Sequence, residues 1–275
     1  MDNKTATAPP STIRDFKPLY SRDKLLQLYG IDIAAAASSS VMVAPFISVV
    51  DRAIIENANG KRPLGQGLTQ GFAAVFRQPH RFVATPQFRL VFGVYFSTYV
   101  TANFVDTTCE HQQVPFTTAS WYKFVATSAI NMSLCILKDR AFARMFGVTA
   151  SHSLPILTYV CFAARDSLTI AASFNAPRLF AEWLTANNRI SDPKTANVAA
   201  QLVCPGAVQF ISTPLHLLGL DMYNRSGASI SQRVGLVRSE YLKSTLARIG
   251  RIAPAFGIGG VGNTFFRSYR KRVVE

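Results

Sequence analysis

The chain has 275 residues, of which 49% are hydrophobic and only 16% are charged, and this composition excludes a disordered chain. It carries 29 Lys and Arg against 15 Asp and Glu, which gives a formal net charge of +14. A positive mean hydropathy beside such an excess of base is typical of membrane proteins, whose basic loops flank apolar spans, and is rare among soluble nucleic-acid binders.

Neither the first residues nor the cysteines indicate a targeting peptide or a metal site. Residues 1–24 contain three Asp and no apolar stretch, so neither a secretory signal nor a transit peptide is expected. The four cysteines form no C-x-x-C pair and the four histidines lack ligand spacing. We therefore interpret the cysteines as small apolar residues of packed helices, and we expect no metal or other cofactor.

Six segments without Asp, Glu, Lys or Arg follow one another along the chain and predict helices. A membrane-spanning helix needs about 20 predominantly apolar residues, and three of the segments have that length directly. The other three reach it if charged residues at their ends snorkel. The small residues 34–40 would let the first helix approach a neighbour closely. The segments are 33–50, 90–105, 124–137, 145–164, 195–220 and 252–266.

The basic residues are distributed unevenly over the connections between these segments. Away from the segment ends, eleven Lys or Arg lie in the connections after the first, third and fifth segments, and three lie in those after the second and fourth. This asymmetry is typical of a protein that crosses a membrane several times.

A faint internal repeat runs through the chain. Residues 45–53 align with 133–141, and both stretches end in Asp-Arg-Ala; residues 214–221 form a third copy that ends in Asp. The first and third copies begin with Pro45 and Pro214, where we expect helix kinks. The repeats divide the chain into an N-terminal segment and three units, at 1–28, 29–110, 117–180 and 191–275.

Three repeats of two spans, with a proline near the end of odd spans, resemble the mitochondrial carrier family over about residues 29–270. The family motif, Pro-x-acidic-x-x-basic-x-basic, is degenerate here, because Ile47, Cys135 and His216 occupy its acidic slots. The resemblance implies an all-α membrane protein, with six tilted transmembrane helices in a pseudo-threefold bundle and short surface helices at 67–76 and 229–246. It also implies a monomer in the mitochondrial inner membrane, with the outer membrane as the alternative.

The resemblance further implies ion pairs that close a central pore at both ends. At one end the candidates are Lys138 and His216, and no ion network is expected there because the acidic slots hold no carboxylate. A lone intramembrane lysine marks a functional site, and a snorkelling lysine is the alternative interpretation. At the other end the family pattern retains Asp166 and Arg267, which we predict to form a salt bridge.

Substrate contacts are carried over from the family to the positions three residues before the prolines of the even spans. These are Val83, His152 or Ser153, and Arg251. A buried arginine commonly binds a carboxylate or a phosphate, so Arg251 predicts a small anionic solute; an interfacial arginine is the alternative. For His152 itself, a hydrogen-bonded structural role is favoured over that of a proton relay.

The glycine-rich stretch 257–262 does not have the context of a phosphate-binding loop. No predicted strand precedes it and no Lys-Ser or Lys-Thr follows it, so we interpret its glycines as contacts between packed helices.

The leading functional prediction is a carrier that moves a small anionic metabolite by alternating access, with membrane lipids as its other partners. The alternative keeps the fold without transport, as an adaptor or assembly factor. A cavity lined by Arg251 and His152 would favour transport, and a cavity plugged by aromatic side chains would favour the adaptor. The charge distribution argues against nucleic-acid binding, and the sequence offers no nucleophile–base pair, carboxylate pair or metal cluster for an enzyme.

Overall fold

The computed structural model describes residues 18–147, 155–174 and 176–275, and the regular structure in these ranges is entirely helical. The predicted all-α class is confirmed for these residues. The helices are α1 (Arg22–Ala58), α2 (Leu64–Arg77), α3 (Pro79–Val83), α4 (Pro86–His111), α5 (Phe116–Phe146), α6 (Ile156–Phe174), α7 (Ala176–Ala186), α8 (Pro193–Ala207), α9 (Gln209–Asn224), α10 (Ile230–Gly250), a π-helix (Ala253–Gly260), α11 (Val261–Arg267), a short 3₁₀ turn (Ser268–Arg270) and α12 (Lys271–Val274).

Polar caps and prolines determine where several helices begin. The Ser21 side chain accepts a hydrogen bond from a backbone N–H in the first turn of α1. Thr85 caps α4 in the same way and is followed by Pro86, whose missing N–H costs nothing at the first helical position. Ser229 and Gln232 form a capping box at the start of α10. These local signals are independent of any membrane.

The long helices form a ring. Helix α1 packs against α4 on one side and against the π-helix and α11 on the other. Helix α4 packs against α5, α5 against α6, and α6 against α8 and α9. Helix α10 packs against α9 and the π-helix, so the chain closes on itself around a central space.

Two predicted segments have different bounds in the structure. The segment 145–164 is not one helix, because α5 continues to Phe146 and α6 begins at Ile156, directly after Pro155. The segment 195–220 is divided at Val208 into α8 and α9. Helix α5 runs beyond the apolar stretch 124–137 at both ends, and its charged residues Lys138 and Asp139 form ion pairs inside the ring, which a search for uncharged segments cannot anticipate.

Small residues allow the first and last helices of the ring to approach closely. A Cβ atom added to Gly259 would lie 2.8 Å from Val43 Cγ2 of α1, and one added to Gly262 would lie 3.4 Å from Ser39 Oγ. Ala35 and Ser39 are buried in the same region. The interpretation of the glycine-rich stretch as a helix contact is confirmed at these two positions.

Several charged side chains are buried beside an apolar core that includes Val43, Phe142 and Leu217. Charged side chains such as Asp32, Asp139 and Arg165 are almost completely buried. Large apolar side chains are exposed on the outside of the ring, where they would contact lipid. Examples are Val41, Met42, Trp121, Val125, Leu157, Val160, Leu202, Ile211, Leu242 and Phe265.

Among the described helices, two segments are long and apolar enough to cross a membrane, and they are Arg22–Ala58 and Thr195–Asn224. Helices α4 and α5 are less apolar, and the faces that they turn to the cavity carry hydroxyl, amide and charged side chains. Six clear spans are therefore not found in the described part of the chain, and the six-helix arrangement stays a prediction.

Candidate functional site

A cavity of about 370 Å³ lies at the centre of the ring. Its wall is partly aliphatic and partly polar, and four charged side chains belong to it: Lys138, Arg165, Asp166 and Arg251. A cavity of this size with a few polar groups suits a small solute. The remaining polar and aromatic lining residues include Tyr95, Thr98, Tyr99, Thr127, Ser128, Asn131, Cys135 and Gln209.

Asp51 joins two cations at one end of the cavity. Its Oδ2 accepts a hydrogen bond from Lys138 Nζ at 2.5 Å, and its Oδ1 accepts one from Arg251 Nη1, also at 2.5 Å. The side chains of Asp51 and Lys138 are both less than a tenth exposed. Because Asp51 lies on α1, Lys138 on α5 and Arg251 directly after α10, one carboxylate connects three parts of the ring.

Asp139 extends this network to α6. Lys138 Nζ lies 2.9 Å from Asp139 Oδ1, and Arg165 Nη2 donates to Asp139 Oδ2 at 2.5 Å. Arg165 also donates to Asp166 Oδ1 at 2.7 Å, and its Nη1 lies 2.9 Å from His216 Nδ1 on α9. The central ion cluster is the set Asp51, Lys138, Asp139, Arg165, Asp166 and Arg251. Its three carboxylates and three cations balance formally.

Arg267 of α11 ties together the other end of the ring. Its Nε donates to Asp32 Oδ1 at 2.8 Å and its Nη1 donates to Asp106 Oδ2 at 3.0 Å, while Lys123 Nζ donates to the same Asp106 oxygen at 2.7 Å. These four residues, the Arg267 cluster, link α1, α4, α5 and α11. Nineteen positions separate Asp32 from Asp51 on α1, which corresponds to about 28 Å at 1.5 Å per residue. The two clusters therefore lie about one membrane thickness apart, since the hydrocarbon core is roughly 30 Å.

An outer contact covers the end that holds the Arg267 cluster. The Tyr20 hydroxyl donates to Glu110 Oε1 at 2.5 Å, and Arg270 Nη2 donates to Glu110 Oε2 at 2.6 Å. Burial, together with the neighbouring carboxylate, raises the pKa of Tyr20 to about 12. The hydroxyl therefore keeps its proton, and remains a donor, at physiological pH.

The structure brings four of the predicted site residues to the central ion cluster. Arg251, Lys138 and Asp166 line the cavity, and His216 contacts Arg165. The interpretation that no ion network forms at this end was wrong, because Asp51 supplies a carboxylate one helical turn after the slot of the motif. The roles of these residues in substrate binding and in gating stay predictions.

The predicted salt bridge between Asp166 and Arg267 is not the pairing that the structure forms. Among the described residues, Asp166 is paired with Arg165, whereas Arg267 is paired with Asp32 and Asp106. Each of the two residues has other partners nearby: Arg165 precedes Asp166 in α6 and pairs with it, and Arg267 is held by carboxylates of α1 and α4.

Five other predicted residues are less informative. Val83, at the end of α3, is about half exposed and does not belong to the cavity wall. His152 and Ser153 lie outside the described residues. Pro45 and Pro214 lie inside α1 and α9, as expected for helix-kink positions.

Reasoning from motif slots missed the carboxylates Asp51 and Asp139 and the cation Arg165. A signal for the first two was present, since the aligned copies all contain an Asp at the same place: Asp51, Asp139 and Asp221. All three are buried, and Asp221 is paired with Arg225 and Arg233. An acid that recurs at the end of apolar segments thus marked the ion network more reliably than the slots of the carrier motif.

The model of one protein family, described as "probable citrulline exporter", matches residues 35–271. No curated protein and no solved structure matches the chain. The resemblance to the mitochondrial carrier family is therefore wrong. Paired apolar segments with prolines near their ends occur in many helical membrane proteins, whereas the charged motif that distinguishes the carriers was degenerate at positions such as Ile47 and Cys135.

Proposed function

Because the chain belongs to the probable citrulline exporter family, we propose that it is a membrane transporter for a small zwitterionic amino acid, with citrulline as the leading candidate. The observation that carries this proposal is the central cavity with its formally balanced ion cluster. Citrulline carries one ammonium, one carboxylate and a neutral ureido group. An anion would add an uncompensated buried charge to this cluster, whereas a zwitterion would not. The zwitterion therefore replaces the anionic solute expected from Arg251 alone.

Asp166 is the group that we assign to the substrate ammonium. Its Oδ1 accepts hydrogen bonds from Arg165, but its Oδ2 is buried and has no hydrogen-bond partner in the described part of the chain. Leaving a buried carboxylate oxygen without a donor costs free energy. An ammonium carries three donors and would satisfy this oxygen from within the cavity.

The carboxylate and the side chain of the substrate then have partners elsewhere on the same wall. The carboxylate would lie at Arg251, whose planar guanidinium suits a carboxylate. The ureido group would lie against α4 and α5, where Asn131 Nδ2 donates to Thr98 Oγ1 at 3.1 Å. Ser128 Oγ is buried there, without a partner among the residues that the structure describes.

Alternating access would use the two clusters at opposite ends of the ring as gates. We propose that the ring crosses the membrane with six helical segments, which is supported by its apolar exterior and its buried charges. The mitochondrial inner membrane, or the outer membrane as the alternative, stays a prediction that the carrier resemblance no longer supports. Fractionation of cells that express a tagged chain would test it.

The adaptor alternative predicted a cavity plugged by aromatic side chains. Tyr95 and Tyr99 do contribute to the wall, yet a cavity of about 370 Å³ remains beside them, with Arg251 at its surface. This observation favours transport.

The test is citrulline transport by the purified protein in liposomes. We expect saturable uptake of labelled citrulline in liposomes that contain the wild-type chain, and a loss of at least tenfold in Asp166→Asn. The matched control is Asp23→Asn, which makes the same chemical change at an exposed position of α1 and should leave uptake unchanged. The proposal is refuted if the folded wild-type protein moves citrulline no faster than protein-free liposomes.

A further inference from the structure

One buried cation lies outside the central ion cluster. Arg248, near the end of α10, is only 2% exposed. Its Nε donates to Gln209 Oε1 at 3.0 Å and its Nη2 donates to Ser212 Oγ at 3.4 Å. Both partners are neutral, and within residues 18–147, 155–174 and 176–275 no carboxylate forms an ion pair with Arg248.

Hydroxyl groups without partners lie on the same two helices. Ser244 and Thr245 precede Arg248 by four and three residues, so they share its face of α10. On α9, which packs against α10, Thr213 follows the Arg248 contact Gln209 by four residues, so it shares the same face of α9. Ser244, Thr245 and Thr213 are completely buried, and their hydroxyl oxygens have no hydrogen-bond partner in the described ranges. Several unpartnered buried hydroxyls beside an arginine are unusual for a packed contact and indicate a ligand.

Among the residues that the structure describes, no carboxylate is paired with the charge of Arg248. The carboxylates of the central ion cluster are already matched by Lys138, Arg165 and Arg251. An arginine retains its proton in proteins, so Arg248 adds one positive charge to the buried part of the ring. A buried charge without a counter-charge is strongly unfavourable. One negative charge is needed, and a zwitterionic substrate does not bring it.

We propose that a monovalent inorganic anion of the chloride class binds between α9 and α10, held by the guanidinium of Arg248 and the hydroxyls of Thr213, Ser244 and Thr245. All of these groups can donate hydrogen bonds, which is what an anion requires. The ligand is a small ion because the site lies between two helices in direct contact.

The site adjoins the transport cavity through Gln209. This side chain accepts the hydrogen bond of Arg248 on one side and belongs to the cavity wall on the other. The anion therefore fixes the position of a cavity-lining amide. Anion binding itself does not depend on the proposed transport of citrulline.

The experiment measures the thermal unfolding midpoint of the full-length protein in detergent, in sodium chloride and in sodium gluconate at equal ionic strength. Chloride at roughly fivefold excess over its dissociation constant should raise the wild-type midpoint by about 2–4 °C. Arg248→Gln should lose this rise. Arg238→Gln, at an exposed position of the same helix, is the matched control and should retain it.

A second variant tests the same site in case Arg248→Gln does not fold. The double variant Ser244→Ala, Thr245→Val keeps the side-chain volumes nearly unchanged and removes two proposed ligands, so it should require at least a severalfold higher chloride concentration for the same rise. The proposal is overturned if the wild-type protein does not respond to chloride, or if the double variant responds like the wild type. It is also overturned if citrulline in gluconate gives the Arg248-dependent rise and chloride does not, because the site would then serve the substrate carboxylate.

Discussion

Replacing Asp51 with Asn would break the central ion cluster at the residue that joins two cations. The change keeps the shape of the side chain and removes its charge. Lys138 would retain Asp139 at 2.9 Å, so it would not be left alone. Arg251 would lose its only ion-pair partner among the described residues. The substitution should therefore lower the free energy of unfolding mainly because Arg251 is left without an ion-pair partner.

The size of this loss of stability depends on how deeply the pair of Asp51 and Arg251 is buried. Removing one partner of a buried ion pair destabilises a protein by roughly 3–5 kcal/mol, whereas exposed pairs contribute about 0.2–1 kcal/mol. The side chain of Asp51 is 9% exposed and that of Arg251 is 22% exposed, so the pair is closer to the buried limit. Because Arg251 reaches the water of the cavity, we expect a loss at the lower end, about 3 kcal/mol in the free energy of unfolding.

Chemical denaturation in detergent measures this loss, with Asp23→Asn as the control for an exposed charge. The double variant Asp51→Asn, Arg251→Met also removes the unpaired cation, so it should be more stable than Asp51→Asn alone. A double-mutant cycle over the two positions should therefore give a coupling energy of at least roughly 1 kcal/mol. Equal stabilities of Asp51→Asn and Asp23→Asn, or strictly additive effects in the cycle, would refute the reasoning.

Two further predictions concern the packing of the ring and the accessibility of its cavity. Gly259→Ala places a Cβ about 2.8 Å from Val43 Cγ2 and should lower the free energy of unfolding by about 1–3 kcal/mol. Gly260→Ala, with open space around the new Cβ, should change the free energy of unfolding by less than about 0.5 kcal/mol. Thermal denaturation of both variants tests this difference. Citrulline should slow the reaction of the cavity-lining Cys135 with a small thiol-modifying reagent, measured by mass spectrometry. The reaction rate of the half-buried Cys204, which is not among the cavity-lining residues, should not change. Equal slowing at both thiols would contradict the assignment of the cavity.

The helices were largely predictable because their signals are local. Uncharged segments mark the cores of α1, α4 and α5, and the helices at 67–76 and 229–246, which the carrier resemblance implied, overlap α2 and α10. The bounds of α5 were not predictable from uncharged segments, because Lys138 and Asp139 lie inside the helix and pair with other helices. The recurring Asp marks where such ion pairs lie, but no pattern in the sequence shows which helices they connect.

The site was predictable in part, for a different reason. Arg251 and Lys138 stand out as cations beside apolar segments, and both line the cavity. Their partner Asp51 is 87 residues from Lys138 and 200 residues from Arg251 along the chain. Which acid meets which base depends on how the helices are arranged around the ring, and a pattern borrowed from another family assigned that arrangement incorrectly.

The unequal burial of the two clusters indicates which end of the ring opens more easily. In the central ion cluster Lys138 and Asp51 are 8% and 9% exposed, whereas Lys123 and Asp106 of the Arg267 cluster are 41% and 30% exposed. Because exposed ion pairs stabilise a closed conformation less than buried ones, the end of the ring with the Arg267 cluster should open more easily. Lys123→Gln should accordingly speed the labelling of Cys135 by a thiol reagent, because it weakens the closure at this end while Arg267 still holds Asp106. An unchanged labelling rate in a folded Lys123→Gln variant would mean that solvent reaches the cavity through the end that the central ion cluster closes.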